Sequence, residues 1–342
     1  MSPKSVLFAA IATLAIALAG GASFANASST GETASLTGAG STFVFPLVSK
    51  WMSKYRNARI TYGAIGSGGG IAAISGRTVD FGASDAPLTP DQASGCRSCV
   101  QIPWALSATS IPYNVPGVSY GLKLTGPILA DIYLGKIKNW DDRRIKQLNP
   151  GVKLPHLKVV PVYRSDASGT SFNFTDYLSR VSSEWKRKVG RGTQPAFPKG
   201  IGAKGSSGVS GTLSHTDGAI TYVDIAYSLK NHFKVAKIKN SAGKFQLPGL
   251  RGIGAAAATV TRVPSNNAIS IVNPPASKPT AYPICTFTWV IVPKKTKKAS
   301  DLKRFIGWAV TSGQRYGQPL LFYPLPKVVV RADQKTLKQI HT

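Results

Sequence analysis

Apolar residues recur along the chain at two spacings, one typical of helices and the other typical of strands. The helical spacing is clearest between residues 44 and 55, where the apolar positions are Val44, Leu47, Val48, Trp51, Met52 and Tyr55. These positions form one face of a predicted amphipathic helix. Because Pro46 is compatible with a helix only in its first turn, we expect this helix to begin near residues 42–45.

Short apolar runs bounded by turn residues predict strands between the helices. The predicted strands are a strand and turn over 35–43, then Ile60–Ile65, Val79–Asp85, Lys158–Tyr163, Ala219–Val223 and Thr286–Val292. Further helices are predicted from Gly66–Gly70 to near Gly76, from Thr125, through Phe174–Val181 and over Asp301–Thr311. This alternation indicates βαβ units and an α/β fold.

Two stretches have a less regular pattern. Residues 237–280 are rich in small residues, turn residues and prolines, and they predict irregular structure with one helix. The Gly- and Ser-rich stretch Gly200–Gly211 fits either a linker or another loop that opens a helix. The length of 342 residues suits about two domains.

The first 27 residues have the pattern of an export signal. Lys4 precedes an apolar run from Val6 to Leu18, and Ala25-Asn26-Ala27 matches an A-x-A cleavage pattern. The run is shorter than the roughly 20 residues that a membrane-spanning helix needs. We therefore expect cleavage near Ala27 and a mature protein that is soluble and exported.

The chain is strongly basic, with 42 Lys and Arg residues against 14 Asp and Glu residues, a formal net charge of +28. A nucleic-acid binder leaves such a footprint, but export argues against that class. Two explanations remain open and are compatible with each other. A positive field concentrates a small anion, and a low carboxylate content suits an acidic exterior. Loss of the fold at low pH would exclude the second.

The cysteines are Cys96 and Cys99, in a C-x-x-C pattern, and the isolated Cys285. A zinc site needs further ligands, and a thioredoxin-like site needs a strand-to-helix setting that this loop lacks. In an oxidising exterior the pattern favours a Cys96–Cys99 disulfide, and we expect Cys285 to be a buried free thiol. The four histidines show no metal-ligand spacing. Neither a cofactor nor a metal ion is expected.

Three loops share one design, since each follows a predicted strand, is rich in Gly, Ser and Thr, and opens a predicted helix. They are Gly40-Ser41-Thr42-Phe43, Gly66-Ser67-Gly68-Gly69 and Ser168-Gly169-Thr170. A helix start has unpaired N–H groups and a partial positive charge, so it attracts anions. Each loop alone is explained by ordinary helix capping, but three in one chain favour an anion site.

Two charged residues extend this pattern. Arg164 lies four residues before Ser168, and its guanidinium suits bidentate binding of a tetrahedral oxyanion. Asp166 is placed to orient Arg164 through an ion pair. Asp85 ends the predicted strand 79–85 and fits an anion site only where the ligand has a proton to donate, as phosphate does and sulfate does not. The alternative is that Asp85 caps the turn before Pro87.

Together these motifs resemble the phosphate-binding protein family of bacterial phosphate-specific (Pst) ABC transporters, within the type II periplasmic binding proteins. The resemblance is carried by residues 38–43, 66–70, 79–88, 131–137 and 164–170, and it extends over about 35–230 and 282–312. Two positions depart from the family pattern. Ser41 stands where alanine is more frequent, and Gly68 stands where a second serine is common.

The resemblance implies a set of ligands for inorganic phosphate. Those residues are Thr42, Phe43 through its backbone, Ser67, Asp85, Arg164, Ser168, Gly169 and Thr170. Asp85 is expected to accept the phosphate proton, and Asp166 to hold Arg164 in place. No catalytic residue is expected.

The resemblance also implies a two-lobed α/β fold, each lobe a mixed sheet flanked by helices, with the ligand cleft between them. The predicted boundaries are a signal peptide over 1–27, lobe 1 over 28–112, lobe 2 over 113–284, and a return to lobe 1 over 285–342. A periplasmic monomer that delivers phosphate to a membrane permease is the expected role.

Two other functions remain as alternatives. An exported phosphatase is suggested by Gly117-Val118-Ser119-Tyr120-Gly121, which fits G-x-S-x-G but lies in a turn rather than at a strand-to-helix elbow. A binding protein for another oxyanion is the second alternative, and Asp85 argues against sulfate as its ligand.

Overall fold

The computed structural model describes residues 34–342, so the predicted export signal lies outside the described residues. Fourteen strands are formed within 34–342. They are β1 (Ser35–Gly40), β2 (Arg59–Gly63), β3 (Phe81–Ser84), β4 (Cys99–Ser110), β5 (Pro112–Asn114), β6 (Lys123–Leu124), β7 (Val160–Arg164), β8 (Ile201–Ala203), β9 (Ala219–Ile220), β10 (Val223–Asp224), β11 (Lys234–Val235), β12 (Lys237–Lys239), β13 (Phe245–Gln246) and β14 (Cys285–Pro293).

Twelve α-helices connect these strands in the same part of the chain. They are α1 (Phe45–Lys54), α2 (Ser67–Ser75), α3 (Pro90–Gly95), α4 (Gly126–Tyr133), α5 (Arg143–Leu148), α6 (Gly169–Val181), α7 (Ser183–Lys188), α8 (Gly205–Ser214), α9 (Ile225–Lys230), α10 (Leu250–Ala257), α11 (Ala299–Ala309) and α12 (Lys327–Leu337). Pro46 lies in the first turn of α1, as predicted.

The larger sheet has six strands in the order β10-β4-β14-β3-β1-β2. The neighbours β2, β1 and β3 are parallel, whereas β14 is antiparallel to both β3 and β4. The two longest strands, β4 and β14, are buried almost throughout, and Trp104, Phe287 and Trp289 contribute to the main hydrophobic core. The parallel pairing fits the βαβ alternation of the sequence, and the antiparallel strands make the sheet mixed.

A second sheet has five strands in the order β11-β5-β9-β7-β8, and a third contains β13, β12 and β6. The chain passes from the larger sheet to the second at Ile111, between β4 and β5. It passes back at Thr221-Tyr222, between β9 and β10, because β10 pairs with β4 at Thr109 and Ser110. The two sheets are therefore joined by short, buried connections.

The structure corrects one strand and resolves one open alternative. The predicted strand Ala219–Val223 is wrong as a single element, because Thr221-Tyr222 carries the chain between two sheets and separates β9 from β10. The stretch Gly200–Gly211 is a helix-start loop, since it contains β8 and the first turns of α8. Residues 237–280 contain two short strands and the single helix α10, close to the irregular structure that was predicted.

The cysteines and the apolar segments complete the description. A disulfide joins Cys96 to Cys99, and Cys285 is a buried free thiol. No helix within residues 34–342 is both long enough and apolar enough to span a membrane.

Candidate functional site

The carboxyl ends of several parallel strands lie at the centre of the candidate site. The neighbours β1, β2 and β3 end at one edge of the larger sheet and are followed by the segments that carry Ser41, Ser67 and Asp85. In the second sheet, the parallel pair β7 and β8 ends at Arg164 and just before Gly205. Ligands of open α/β sheets bind at such carboxyl edges.

The side chains brought together here are polar and almost fully enclosed. Their exposed fractions are Ser41 0%, Thr42 6%, Ser67 1%, Asp85 1%, Arg164 3%, Ser168 1%, Thr170 1% and Ser206 0%. Polar groups buried to this extent are normally paired with one another or with a ligand. The site is therefore a buried polar cluster inside the protein.

Arg164 is held in a fixed orientation by Asp166. Its Nε donates to Oδ1 of Asp166 at 2.6 Å and its Nη2 donates to Oδ2 at 2.5 Å, so the ion pair between the two residues is bidentate. Its Nη1 is directed to the other sheet and donates to Oγ1 of Thr42 at 3.1 Å. Burial raises the pKa of Asp166, but the hydrogen bonds and charge of Arg164 outweigh burial and leave that pKa below its ordinary value. Asp166 is consequently ionised at neutral pH.

Asp85 accepts hydrogen bonds from two serine hydroxyls. Ser41 Oγ donates to Oδ1 at 2.5 Å, and Ser67 Oγ lies 3.5 Å from Oδ2. Burial raises the pKa of Asp85 from 3.8 to about 7, although both hydroxyls and the charge of Arg164 act in the opposite direction. The carboxyl group can therefore exchange a proton near neutrality, and the alternative role as a turn cap before Pro87 does not describe these contacts.

Hydrogen bonds across the cluster join loops that belong to different sheets. The backbone N–H of Gly169 donates to Ser67 Oγ at 3.0 Å, and the N–H of Gly68 donates to the carbonyl of Ala167 at 2.9 Å. A Cβ on Gly169 would lie 2.6 Å from Ser67 Oγ, so only glycine allows this approach. The hydroxyls of Thr42 and Ser206 form a third link at 2.8 Å. These links hold the two halves of the site closed on each other.

The remaining predicted residues lie at the starts of α1 and α6. Ser168 caps α6, since its Oγ accepts a hydrogen bond from the N–H of Ser171 at 3.2 Å. Thr170 Oγ1 is buried and has no hydrogen-bond partner within residues 34–342. The N–H of Phe43 donates to Ser41 Oγ at 3.0 Å, and its ring packs against Phe322. Thr170 thus has a buried hydroxyl without a partner among the described residues, while the N–H of Phe43 is already paired.

The structure adds to the cluster three groups to which the sequence analysis assigned no role in binding. Ser41 bonds directly to Asp85, Ser206 bonds to Thr42, and the N–H of Gly205 donates to Oδ1 of Asp166 at 2.9 Å. The signal for Ser206 and Gly205 was the Gly- and Ser-rich stretch before the apolar positions of α8. That signal was ambiguous, because the same composition is typical of linkers.

Features of a hydrolase or a metal site are not assembled in the described part of the chain. Ser119 lies in an exposed turn, and its carbonyl accepts the hydroxyl of Tyr113. The ring nitrogens of His156, His215 and His341 bond only to Asp141 or to backbone carbonyls among the described residues. Within 34–342, no group of three His, Cys, Asp or Glu side chains is arranged to hold a metal ion. The chemistry available at the cluster is the binding of a small oxyanion.

Comparisons with known proteins agree with this geometry. The sequence profile of the PBP superfamily domain matches residues 25–312. The phosphate-binding protein PstS of Xylella fastidiosa (strain Temecula1) is 40% identical over 303 residues, which cover 86% of this chain and 83% of that protein. PstS of Pasteurella multocida is 36% identical, with 90% of this chain and 91% of that protein covered.

Solved structures support the fold. A periplasmic phosphate-binding protein, PfluDING, determined with bound phosphate, has a TM-score of 0.70 at 21% identity, covering 88% of this chain and 92% of that one. A phosphate-binding protein from Stenotrophomonas maltophilia has a TM-score of 0.71 at 20% identity, covering 88% and 93%. The predicted two-lobed α/β fold is thereby confirmed, and the named relatives are binding proteins rather than enzymes. By sequence and by fold, the chain belongs to the PBP superfamily and, within it, to the PstS family of phosphate-binding proteins.

Proposed function

We propose that this protein captures inorganic phosphate for an ABC importer and does not act as an enzyme. The observation that carries the proposal is the buried Arg164, fixed by Asp166 at the junction of two sheets and facing the hydroxyl of Thr42. A guanidinium held in this way presents a planar set of donors to a tetrahedral oxyanion. The names of the relatives in its family point to the same ligand.

The ligands of phosphate are the residues predicted from the sequence, with roles that follow from their positions. They are Thr42, the backbone of Phe43, Ser67, Asp85, Arg164, Ser168, Gly169 and Thr170, with Ser206 as an addition. Phosphate replaces the direct contacts between these groups. The N–H of Phe43 is released from Ser41 and the N–H of Gly169 from Ser67, so that both donate to phosphate oxygens.

Asp85 selects for an oxyanion that carries a proton. Its carboxylate accepts the P–O–H group of phosphate, and the hydroxyl of Ser41 keeps it oriented. Sulfate has no proton at neutral pH and faces an unpaired carboxylate instead. A site built around such a polar pair rejects a ligand without the matching group by roughly 10⁴-fold.

Phosphate joins the lobes because each contributes part of the ligand set. Among the described residues, the proposed lobe 1 (predicted over 28–112 and 285–342) contains the larger sheet and the proposed lobe 2 (113–284) the second, with β10 pairing back to lobe 1. A ligand that contacts both halves favours the closed state by its differential affinity. The closed monomer then delivers phosphate to the membrane permease after export to the periplasm and cleavage near Ala27.

The test is calorimetric titration of the mature protein, folded and freed of ligand, with phosphate and then with sulfate. We expect one-to-one phosphate binding that excess sulfate does not displace. Arg164→Ala removes several charge-assisted hydrogen bonds, each worth about 1.5–3 kcal/mol, so phosphate affinity should fall roughly 100-fold or more.

Arg180→Ala is the matched control for this titration. Arg180 also pairs with an aspartate, Asp176, but its side chain is 38% exposed on α6. Its loss should leave phosphate affinity unchanged. Absence of phosphate binding in the wild-type protein would exclude the proposal, and tight sulfate binding would favour a different oxyanion. Raising the salt concentration should weaken binding in a closed site far less than binding of a polyanion to the basic surface.

A further inference from the structure

A second buried carboxyl group, Asp224, lies where the two sheets join. It is the last residue of β10, two residues after the connection Thr221-Tyr222, and none of its surface is exposed. Oδ1 accepts the N–H of Tyr227 at 3.1 Å and caps α9. Oδ2 is buried and has no hydrogen-bond partner among the described residues. Capping therefore accounts for one oxygen of Asp224 and leaves the other unexplained.

Asp224 belongs to a polar group that continues toward the phosphate site. In the antiparallel register of β10 and β4 it is the direct partner of Thr109, so both side chains stand on one face of the sheet. Oγ1 of Thr109 accepts Nδ2 of Asn173 at 2.7 Å. Asn173 lies one turn after Thr170 on α6, on the same helix face. The polar group therefore runs from Asp224 to the proposed phosphate ligand Thr170.

Three buried polar atoms of this group lack partners within residues 34–342. They are Asp224 Oδ2, Asn173 Oδ1 and Thr170 Oγ1. The orientation of Asn173 is fixed, because its Nδ2 also faces the carbonyl of Ile284 at 3.4 Å. Its Oδ1 is consequently an acceptor without a donor. A carboxylate supplies only acceptors, whereas a protonated carboxyl supplies one donor.

The charged and titratable groups around Asp224 come from several elements. Asp85 after β3 carries a charge of the same sign, Arg164 at the end of β7 opposes it, and Tyr227 on α9 is a neighbouring titratable group. Burial raises the pKa of Asp224 well above its ordinary value, the N–H of Tyr227 lowers it, and Asp85 raises it further. An incoming phosphate anion adds to the repulsion. The surroundings therefore favour the protonated form.

We propose that Asp224 is a positioning residue of the phosphate site that must carry a proton in the closed state, so that closure of the lobes takes up one proton at the junction of the two sheets. Protonated Asp224 donates toward the polar group formed by Thr109, Asn173 and Thr170, and so orients the hydroxyl of Thr170. When the lobes separate, water reaches the carboxyl group and it ionises. This inference rests on the proposed phosphate-binding function.

Proton uptake at Asp224 determines the direction in which phosphate affinity changes with pH. Because the bound state holds one more proton at Asp224, phosphate affinity falls as pH rises, by up to about tenfold per pH unit for one linked proton. Asp85 and phosphate itself also titrate, but their contributions to the pH dependence are shared by the wild type and by every variant compared below. Asp224→Asn keeps a side-chain oxygen for the N-cap and cannot ionise. It should remove the contribution of Asp224 alone.

The experiment measures phosphate affinity from pH 6 to 9, and proton uptake by calorimetry in buffers of different ionisation enthalpy. We expect Asp224→Asn to take up fewer protons than the wild type and to lose less affinity with rising pH, by up to about tenfold per pH unit. Asp333→Asn is the matched control. Asp333 is also fully buried, with neither oxygen paired among the described residues, but it lies on α12 outside this polar group.

Equal proton uptake and equal pH slopes in Asp224→Asn and the wild type would overturn the inference. The same change in Asp333→Asn would also overturn it, because the effect would then be a general one of buried carboxyls. If Asp224→Asn does not fold, infrared difference spectra of the wild type decide the matter. Phosphate binding must then increase the carbonyl band of protonated carboxyl groups. Failure of the wild type to bind phosphate would instead sink the proposed function.

Discussion

Asp85 is a buried residue whose ionised form lowers the stability of the folded protein. It is 1% exposed, and its position beside Arg164 does not fully offset the loss of hydration. The folded-state pKa of about 7 lies above the ordinary 3.8. Ionisation of Asp85 therefore lowers the free energy of unfolding. This destabilisation is absent below pH 3.8, grows between pH 3.8 and about 7, and is complete above about 7. In the proposed function, selection for a proton-bearing ligand accounts for a carboxylate at this position.

Asp85→Asn should make the phosphate-free protein more stable at pH 8 and leave its stability at pH 3 unchanged. The shift of about three pKa units sets an upper bound of about 4 kcal/mol on the gain in the free energy of unfolding. Phosphate affinity should fall at the same time, because the amide does not take the phosphate proton. Urea unfolding at both pH values, with titration of the same samples, tests both statements. A loss of stability at pH 8 would mean that hydrogen bonds from Ser41 and Ser67 outweigh burial.

At the scale of helices and strands, the local pattern was sufficient to predict most elements. The apolar face of α1, the Thr125 cap of α4 and the strand at β14 are determined by residues close together in sequence, and the structure has each of them. The design of loops that open α1, α2 and α6 was visible for the same reason. Each of these loops carries its own glycine and its own Ser or Thr residue.

Elements defined by long-range pairing were not predictable in this way. The separation of β10 from β9 depends on the pairing of β10 with β4, more than a hundred residues away in sequence. Because β10 has only two residues, it shows no alternation of apolar and polar positions that would predict a strand. Asp224 reads locally as an ordinary helix cap, and it is one. Only the fold shows that its second oxygen is enclosed next to Thr109. The same holds for Ser41, whose contact with Asp85 spans two parallel strands.

The loop between α3 and β4 is stabilised by the disulfide and by Arg77. Guanidinium nitrogens of Arg77 donate to the carbonyls of Ile74 at 2.8 Å, Cys96 at 2.9 Å and Arg97 at 3.0 Å. These hydrogen bonds connect the end of α2 with the Cys96–Cys99 loop. The loop is thus restrained by two independent devices.

The double variant Cys96→Ser/Cys99→Ser should lose about 2 kcal/mol of the free energy of unfolding, the loop-closure value for so small a ring. Because no site residue bonds to this loop among the described contacts, phosphate affinity should be unchanged. Urea unfolding with and without a reductant measures the effect, and the double variant should not respond to the reductant. No change in unfolding on loss of the disulfide would show that Arg77 alone holds the loop.

Cys285 should stay unmodified by thiol reagents in the folded protein, because it is fully buried and burial raises its pKa.

On the scale of the whole molecule, the positive charge is spread over the surface, while the buried site is nearly balanced. Arg164 and Asp166 offset each other. Outside the site, carboxylates such as Glu184 and Asp176 each pair with two cations. Hydrogen bonds from Lys136 and Lys188, together with the charges of these lysines, lower the pKa of Glu184 to about 2. The pairing of Glu184 with these lysines therefore persists at acidic pH, as the acid-exterior explanation requires, and that explanation stays a prediction.

In the proposed function, closure of the two halves requires their loops to approach closely, and Gly68 is the point where this can be tested. Its N–H bonds to the carbonyl of Ala167, and a Cβ on Gly68 would lie 2.3 Å from the Cβ of Ala167. Gly68→Ala should therefore disfavour the closed state while the open state tolerates the methyl group. An overpacking cost of about 1–3 kcal/mol corresponds to a loss of phosphate affinity of roughly fivefold to a hundredfold or more.

Small-angle scattering at graded phosphate concentrations distinguishes this effect from a general loss of structure. The wild type should contract at lower phosphate concentration than Gly68→Ala, and both should reach the same radius of gyration at saturation, since a ligand with differential affinity still drives closure. Gly211→Ala on α8 is the matched control, because a Cβ added to Gly211 would meet no heavy atom within 4 Å. Its affinity and contraction should follow the wild type. Unchanged affinity in Gly68→Ala would mean that the Gly68–Ala167 contact does not form in the phosphate-bound state, and that the lobes close on the ligand through Arg164, Thr42 and Ser206 alone.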